Sequence, residues 1–219
     1  MQQRLRLLGS DAILDAASEL FLRDGYRNTT ISAIAERAGV GVATIFRHFK
    51  SKEGVLAALS RRDIDKTLAM ARAALTSPSE DPAEGVLRLI LPVFEMHQMP
   101  STQIRGQTRL WLLIPTGHSE TDAVVTSSDR ELQELIHELL TYYRRQGRIA
   151  RNIDLQDLTS IVFALFYHHY LRMALDRSLA VETVTKEFAR QLPLVFTQVS
   201  VPAAVLSGPL RSYKRLPSR

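Results

Sequence analysis

Between residues 10 and 25, apolar side chains recur at the i, i+3, i+4, i+7 spacing of one helical face: Ile13, Ala16, Ala17, Leu20 and Phe21. Ser10 or Asp11 can cap the start of this helix and Gly25 can end it. The stretch "YRNTT" breaks the pattern, after which Thr30 is placed to cap a second helix with Ile31, Ile34, Ala35 and Ala38 as its buried stripe, stopped by Gly39. A third short helix follows on Val42, Ile45, Phe46 and Phe49, and Ser51 caps a fourth that runs toward Leu75. The loop "TSPSEDP" then interrupts, and helical patterns resume at about 82 to 98, 104 to 114, 120 to 147, 154 to 177 and 181 to 199. No alternating strand pattern of useful length and no internal repeat is present, so an all-α fold is expected.

Two segments depart from simple amphipathicity. From Ile161 to Leu171 the chain is apolar or aromatic nearly all the way round the helix, which predicts cover on both sides, one from its own domain and one from elsewhere. The last helix carries Val181, Val184, Phe188, Leu192, Val195 and Val199 as a single stripe, and Pro193 is expected to kink or divide it. The end of the chain, "VPAAVLSGPLRSYKRLPSR", reads as an irregular basic tail.

The 219 residues suffice for a sizeable core in one domain or two. No cysteine is present, which excludes disulfides, thiol catalysis and cysteine-ligated metal sites and fits a reducing, cytoplasmic compartment. No secretory signal or bilayer-length apolar run is evident, and no membrane partner is expected. Residues 1 to 60 hold 8 Lys and Arg against 6 Asp and Glu, residues 61 to 200 hold 16 against 17, and residues 201 to 219 hold 4 against none. Basic ends on a neutral middle suit an acidic polymer, although a solvated charged surface explains the same numbers.

The stretch "ERAGVGVATIFRHF", residues 36 to 49, offers a choice of chemistry. A dinucleotide loop needs a third glycine where Thr44 stands, and a strand rather than the helix "ISAIAERA" before Gly39. A bend between two helices accounts for more residues, because Gly39 can adopt the left-handed conformation, Val40 can plug the turn, and small side chains open the next helix. Across residues 13 to 59 the order of motifs resembles the TetR family of bacterial transcriptional regulators. The features are an amphipathic first helix ending in Phe21 and Gly25, the "TTISAIAERAGV" second helix, the "TIFRHF" recognition helix, and Lys52 with its following leucines.

The resemblance implies an N-terminal three-helix helix-turn-helix DNA-binding domain over 1–55, a C-terminal helical effector-binding and dimerisation domain over 56–200, and a tail over 201–219. It further implies phosphate contacts from Thr30, His48 and Lys52, with Val42, Ala43 and Thr44 at base-facing positions, Arg47 reaching a guanine or a phosphate, and Gly41 in the DNA-binding set without a side chain to read a base. Phe46 belongs to the same DNA-binding set; it stands where the family often has tyrosine, so a hydroxyl contact to phosphate is absent and packing is the other role open to that ring. The implied partners are double-stranded operator DNA, a second copy of the chain and a small apolar or aromatic effector; no cofactor is implied.

For the effector pocket the candidates are Phe94, His97, Trp111, Tyr142, Phe163 and Tyr167, set against the ordinary reading of aromatic stripes as core. For dimerisation through the last two helices they are Phe163, Phe166, Tyr170, Phe188, Leu192 and Val195. His168 and His169 are adjacent on a helix and point about 100° apart, so they do not converge on a metal. "HELLT" lacks the second histidine of a zinc-protease helix, and no nucleophile elbow or paired carboxylate setting stands out. A regulator rather than an enzyme is expected; the alternatives are an enzyme or an interaction module using the helical fold without DNA.

Overall fold

The structure, a computed structural model, describes residues 2–98, 120–176 and 178–197. The predicted helix at 104 to 114, Trp111 and the tail at 201–219 lie outside the described residues. Eight α-helices and no strand occur among those described: α1 (Gln2–Asp24), α2 (Ile31–Ala38), α3 (Val42–Phe49), α4 (Lys52–Ala73), α5 (Pro82–Glu95), α6 (Glu120–Arg145), α7 (Leu155–Leu175) and α8 (Val181–Phe196). A short 3-10 turn, Met96–Gln98, follows α5 and holds His97.

Local signals set most of the ends. Thr30 accepts a hydrogen bond from the Ala33 N–H at 3.1 Å and Ser51 one from the Gly54 N–H at 2.9 Å, each satisfying a donor that the first helical turn leaves open. Asp81 and Asp154 do the same for α5 and α7. Gly39 closes α2 with φ 67°, a region that favours glycine, and the Val40 N–H returns to the Ala35 carbonyl at 2.9 Å.

Two expectations are corrected. Ser10 and Asp11 do not cap α1, because the helix begins earlier, at Gln2. Pro193 does not divide α8, which runs on to Phe196: it lies on the exposed side one turn from the C-terminus, where its missing N–H removes only one helical bond.

The buried residues form two separate clusters. The smaller joins α1 to α4 around Ile13, Leu20, Phe21, Ile34, Ile45, Phe49, Leu56 and Leu59. The larger unites the second half of α4 with α5 to α8 around Leu68, Leu89, Phe94, Ile136, Leu139, Tyr143, Phe166, Phe188 and Leu192. Helix α4 is buried in both, Val55 to Leu59 in one and Ile64 to Ala71 in the other. At that junction two adjacent arginines pull in different directions. Arg62 pairs with Asp15 of α1 at 2.7 Å, while Arg61 pairs with Asp65 on its own helix and with Glu131 of α6.

Candidate nucleic-acid interface and helical pocket

Helix α3 has only eight residues, so its orientation depends on packing rather than on its own helical stability. Ile45 and Phe49, one turn apart, are buried against α1 and α4 and fix one face. The other face therefore looks outward: Val42 is 38% exposed, Phe46 49%, and Ala43 and Arg47 are exposed beside them. Thr44 and His48 flank this stripe, partly buried, and Gly41 is exposed at the helix start, where the absence of a side chain leaves the first turn open. Of the two roles left open for Phe46, inward packing is not observed. The interior side is already filled by Ile45 and Phe49, so its ring stands on the same exposed face as Val42 and Arg47.

Thr30 is exposed at the N-terminus of α2, and its role as capping acceptor leaves its O–H free to donate. Lys52, expected at a phosphate, has partners within the chain. Its Nζ donates to the carbonyls of Tyr26 at 2.8 Å, Arg27 at 3.2 Å and Thr29 at 2.9 Å, using all three protons, and it lies 4.6 Å from the centre of the Tyr26 ring. Partial burial lowers its pKa from the ordinary lysine value. Lys52 thus ties the start of α4 to the loop between α1 and α2. Thr29, which the sequence reading passed over, is buried, and its single hydroxyl proton is shared between the Gly25 carbonyl of that loop at 2.9 Å and the Leu20 carbonyl of α1 at 3.2 Å.

In the larger cluster the aromatic candidates separate into two groups. Phe94 is fully buried, with ring centres 5.5 Å from Phe166 and 5.3 Å from Phe188. Phe163 stacks on Tyr167 at 5.9 Å with planes 20° apart and lies 5.8 Å from Phe166, which in turn lies 5.7 Å from Tyr170. Tyr142 is not with them. His137 of α6 meets Thr159 of α7 at 3.2 Å and the charge of Asp129 reaches Tyr167, two points that run in opposite directions along the helices, so Tyr142 lies about 20 Å along α6 from the level of Tyr167. Its ring packs instead on Tyr143 and borders a surface cavity of about 400 Å³ with Leu75, Pro78, Glu138 and Arg145.

At the level of Tyr167 stands a group that the sequence reading missed. Asp129 sits three residues before Leu132 and seven before Ile136, on the apolar stripe of α6, and is partly buried. Burial pushes its carboxyl up to about 6, and burial followed by the Asp129 charge holds the Tyr167 phenol above its ordinary value. The signal was available in the sequence as a carboxylate at the phase of the buried stripe.

The dimerisation candidates also need correction. Phe166, Phe188 and Leu192 are buried in the chain's own core, because α5 and α6 cover the side of α7 and α8 that carries them. Phe163, Tyr170 and Val195 are only partly buried against the same core. The apolar residues left outside are Ile161, 54% exposed, and Leu175, 61% exposed, on α7, with Leu194, 68% exposed, on α8. His169, buried beside Phe188, meets Gln191 Oε1 at 2.9 Å, and Arg172 pairs with Glu187, so α7 and α8 are also joined by polar contacts.

Residues 13–59 match the family model for bacterial regulatory proteins of the tetR family, the same span that builds α1 to α4 around the exposed face of α3. Residues 13–59 thus form a tetR-type N-terminal domain. Over 47 residues, 22% of this chain and 25% of its relative, it is 57% identical to the HTH-type transcriptional regulator YvkB of Bacillus subtilis. It is 32% identical over 155 residues to the HTH-type transcriptional regulator SrpR of Pseudomonas putida, covering 66% of this chain and 65% of that one. The matches thus span from a quarter to just under two thirds of these relatives' lengths. The fold extends further: the transcriptional regulator FadR from Bacillus subtilis, solved in complex with stearoyl-CoA, superposes with a TM-score of 0.64 at 20% identity. That superposition covers 83% of this chain and 96% of the other. The chain shares its all-helical fold with that structure, and residues 13–59 share the N-terminal domain of tetR-family regulators.

Proposed function

We propose that the chain is a DNA-binding transcriptional repressor that grips a pseudo-palindromic operator as a homodimer and releases it when a small effector enters its larger helical body. The observation that carries this reading is the outward face of α3, formed by Val42, Ala43, Phe46 and Arg47 and held in place by Ile45 and Phe49. In the major groove, Val42, Ala43 and the Phe46 ring suit thymine methyls or deoxyribose, Arg47 suits a guanine edge or a phosphate, and Thr44 at the margin suits a base edge. Thr30 and His48 suit phosphates. With few polar readers on this face, sequence-dependent DNA shape contributes to selection.

The DNA-binding unit extends to about residue 55 and the effector and dimerisation unit from there to about 200, with α4 crossing between them. Arg62 anchors α4 to α1 and Arg61 anchors it to α6, so a ligand that displaces α6 is felt at the reading head. Each tenfold loss of operator affinity requires about 1.4 kcal/mol of differential binding between the two conformations. The aromatic group of Phe163, Phe166, Tyr167 and Tyr170 supports an apolar or aromatic effector, and the stearoyl-CoA held by the Bacillus subtilis fold relative has a long apolar part. No helix among the described residues is long and apolar enough to cross a membrane, in keeping with a regulator that meets DNA in the cytoplasm.

The test is fluorescence anisotropy on duplexes tiling the DNA that flanks the chain's own coding region. Affinity for one duplex should stand above the rest and fall steeply with salt. Thr44→Ala should relax preference at one base pair by about 1–3 kcal/mol. Failure to bind any duplex at low ionic strength would overturn the reading.

A further inference from the structure

Helices α3 and α4 are joined by two residues, Lys50 and Ser51, whose flanks are already fixed. Phe49 is buried at the end of α3 and Val55 near the start of α4, and Ser51 keeps an extended backbone to accept the Gly54 N–H at 2.9 Å. The reversal of the chain therefore falls on Lys50. It takes φ 61° and ψ −36°, and the Ser51 N–H closes on the Phe49 carbonyl at 2.6 Å. A three-residue turn of this hand is rare and strained. Among the described residues Lys50 is the one residue other than glycine with positive φ. A glycine would sit there at less cost, as Gly39 does at the end of α2.

The position of this lysine is set by α3. Its own N–H still bonds the Phe46 carbonyl at 3.0 Å, so its Cα continues the outward stripe of Ala43, Phe46 and Arg47. The two lysines that bracket Ser51 thus have different surroundings. Lys52 gives its ammonium protons to three carbonyls, whereas Lys50 is exposed beside the reading face.

We propose that Lys50, held by the strained turn, is the phosphate ligand at the C-terminal end of the reading helix, in the role that the family resemblance implied for Lys52. This rests on the regulator reading above and adds a contact to it. A lysine supplies a point charge and needs no fixed geometry to meet a phosphate. Lying beyond the residues that face base edges, it sets affinity and register without selecting sequence.

The experiment compares the full chain with Lys50→Gly and Lys50→Arg on the tightest-binding duplex from the tiled flanking DNA, by anisotropy over a series of salt concentrations, with urea unfolding on the same samples. Lys50→Gly should unfold at a higher urea concentration than the parent, because glycine relieves the turn. It should nevertheless bind the duplex at least about tenfold more weakly at low salt, and its slope of log affinity against log salt should flatten by roughly 0.9 per protomer. Lys50→Arg should keep the parent's affinity and slope. A glycine that merely loosened α3 would weaken binding without flattening the slope, and that result overturns the assignment. A loss in Lys50→Arg equal to that in Lys50→Gly overturns it as well, and earlier unfolding of Lys50→Gly refutes the strained turn on which it depends. A parent chain that binds no duplex defeats the regulator reading and this contact with it, whereas a parent and a Lys50→Gly variant that bind alike defeat Lys50 alone.

Discussion

Lys52 spends its three protons on main-chain carbonyls of the loop that joins α1 to α2, so its replacement acts first on the fold of the reading head. Lys52→Ala leaves three acceptors without their donor and removes the cation over the Tyr26 ring. A loss of about 1–3 kcal/mol is expected in urea denaturation. The salt dependence of operator binding should change less than in Arg47→Ala, whose side chain is exposed on the α3 face. A reversal of that order would return Lys52 to the role of phosphate ligand. Thr30, Ser51 and Gly39 were legible from sequence because a cap and a left-handed turn act on the next three or four residues. The partners of Lys52 were not, since they are carbonyls more than twenty residues away, and every residue type carries a carbonyl. Phe46 was left between two roles for a related reason: its spacing fits the apolar set, but Ile45 and Phe49 already occupy the room inside.

Helices α5 and α6 meet closely at Gly85. A Cβ built there would fall 1.8 Å from the Tyr143 hydroxyl and 2.8 Å from its Cζ, and that hydroxyl donates to the Ser79 carbonyl at 2.8 Å. In an ordinary helical position Gly→Ala stabilises by up to about 1 kcal/mol. Here Gly85→Ala must displace a buried tyrosine and its hydrogen bond, so the sign should invert to a loss of about 1–3 kcal/mol in equilibrium unfolding. Combining it with Tyr143→Phe removes the closest clash and should recover part of that loss; a stabilising Gly85→Ala would refute the packing account. Helix extents were readable from periodicity and caps, and α5, α6 and α7 lie within a few residues of expectation. The start of α1 was not, because Ser10 is an acceptable interior residue as well as a cap. The seat of Tyr143 on Gly85 has no local mark either, as the two are 58 positions apart in the chain.

At the scale of the molecule, the apolar excess of 161–171 was visible in sequence, but its direction depends on how α7 is rotated against α5 and α6. The most aromatic positions, Phe166 on α7 and Phe188 on α8, are claimed by the chain's own core, where they pack around Phe94. What remains outward is thinner: Ile161 and Leu175 on α7, with Ala164 and His168 exposed between them, and Leu194 on α8. If this face joins two copies about a twofold axis, a charge placed on it is buried at the interface without a partner, whereas in a lone chain it stays in water. Ile161→Glu should therefore yield a folded monomer in sedimentation equilibrium, with an unchanged circular dichroism spectrum. Operator affinity should fall at least a hundredfold, because two linked reading heads bind far more tightly than one. Phe188→Ala should behave differently, costing about 3–5 kcal/mol of stability through an internal cavity. A dimer that survives Ile161→Glu and Leu194→Glu together would place the twofold contact on another surface.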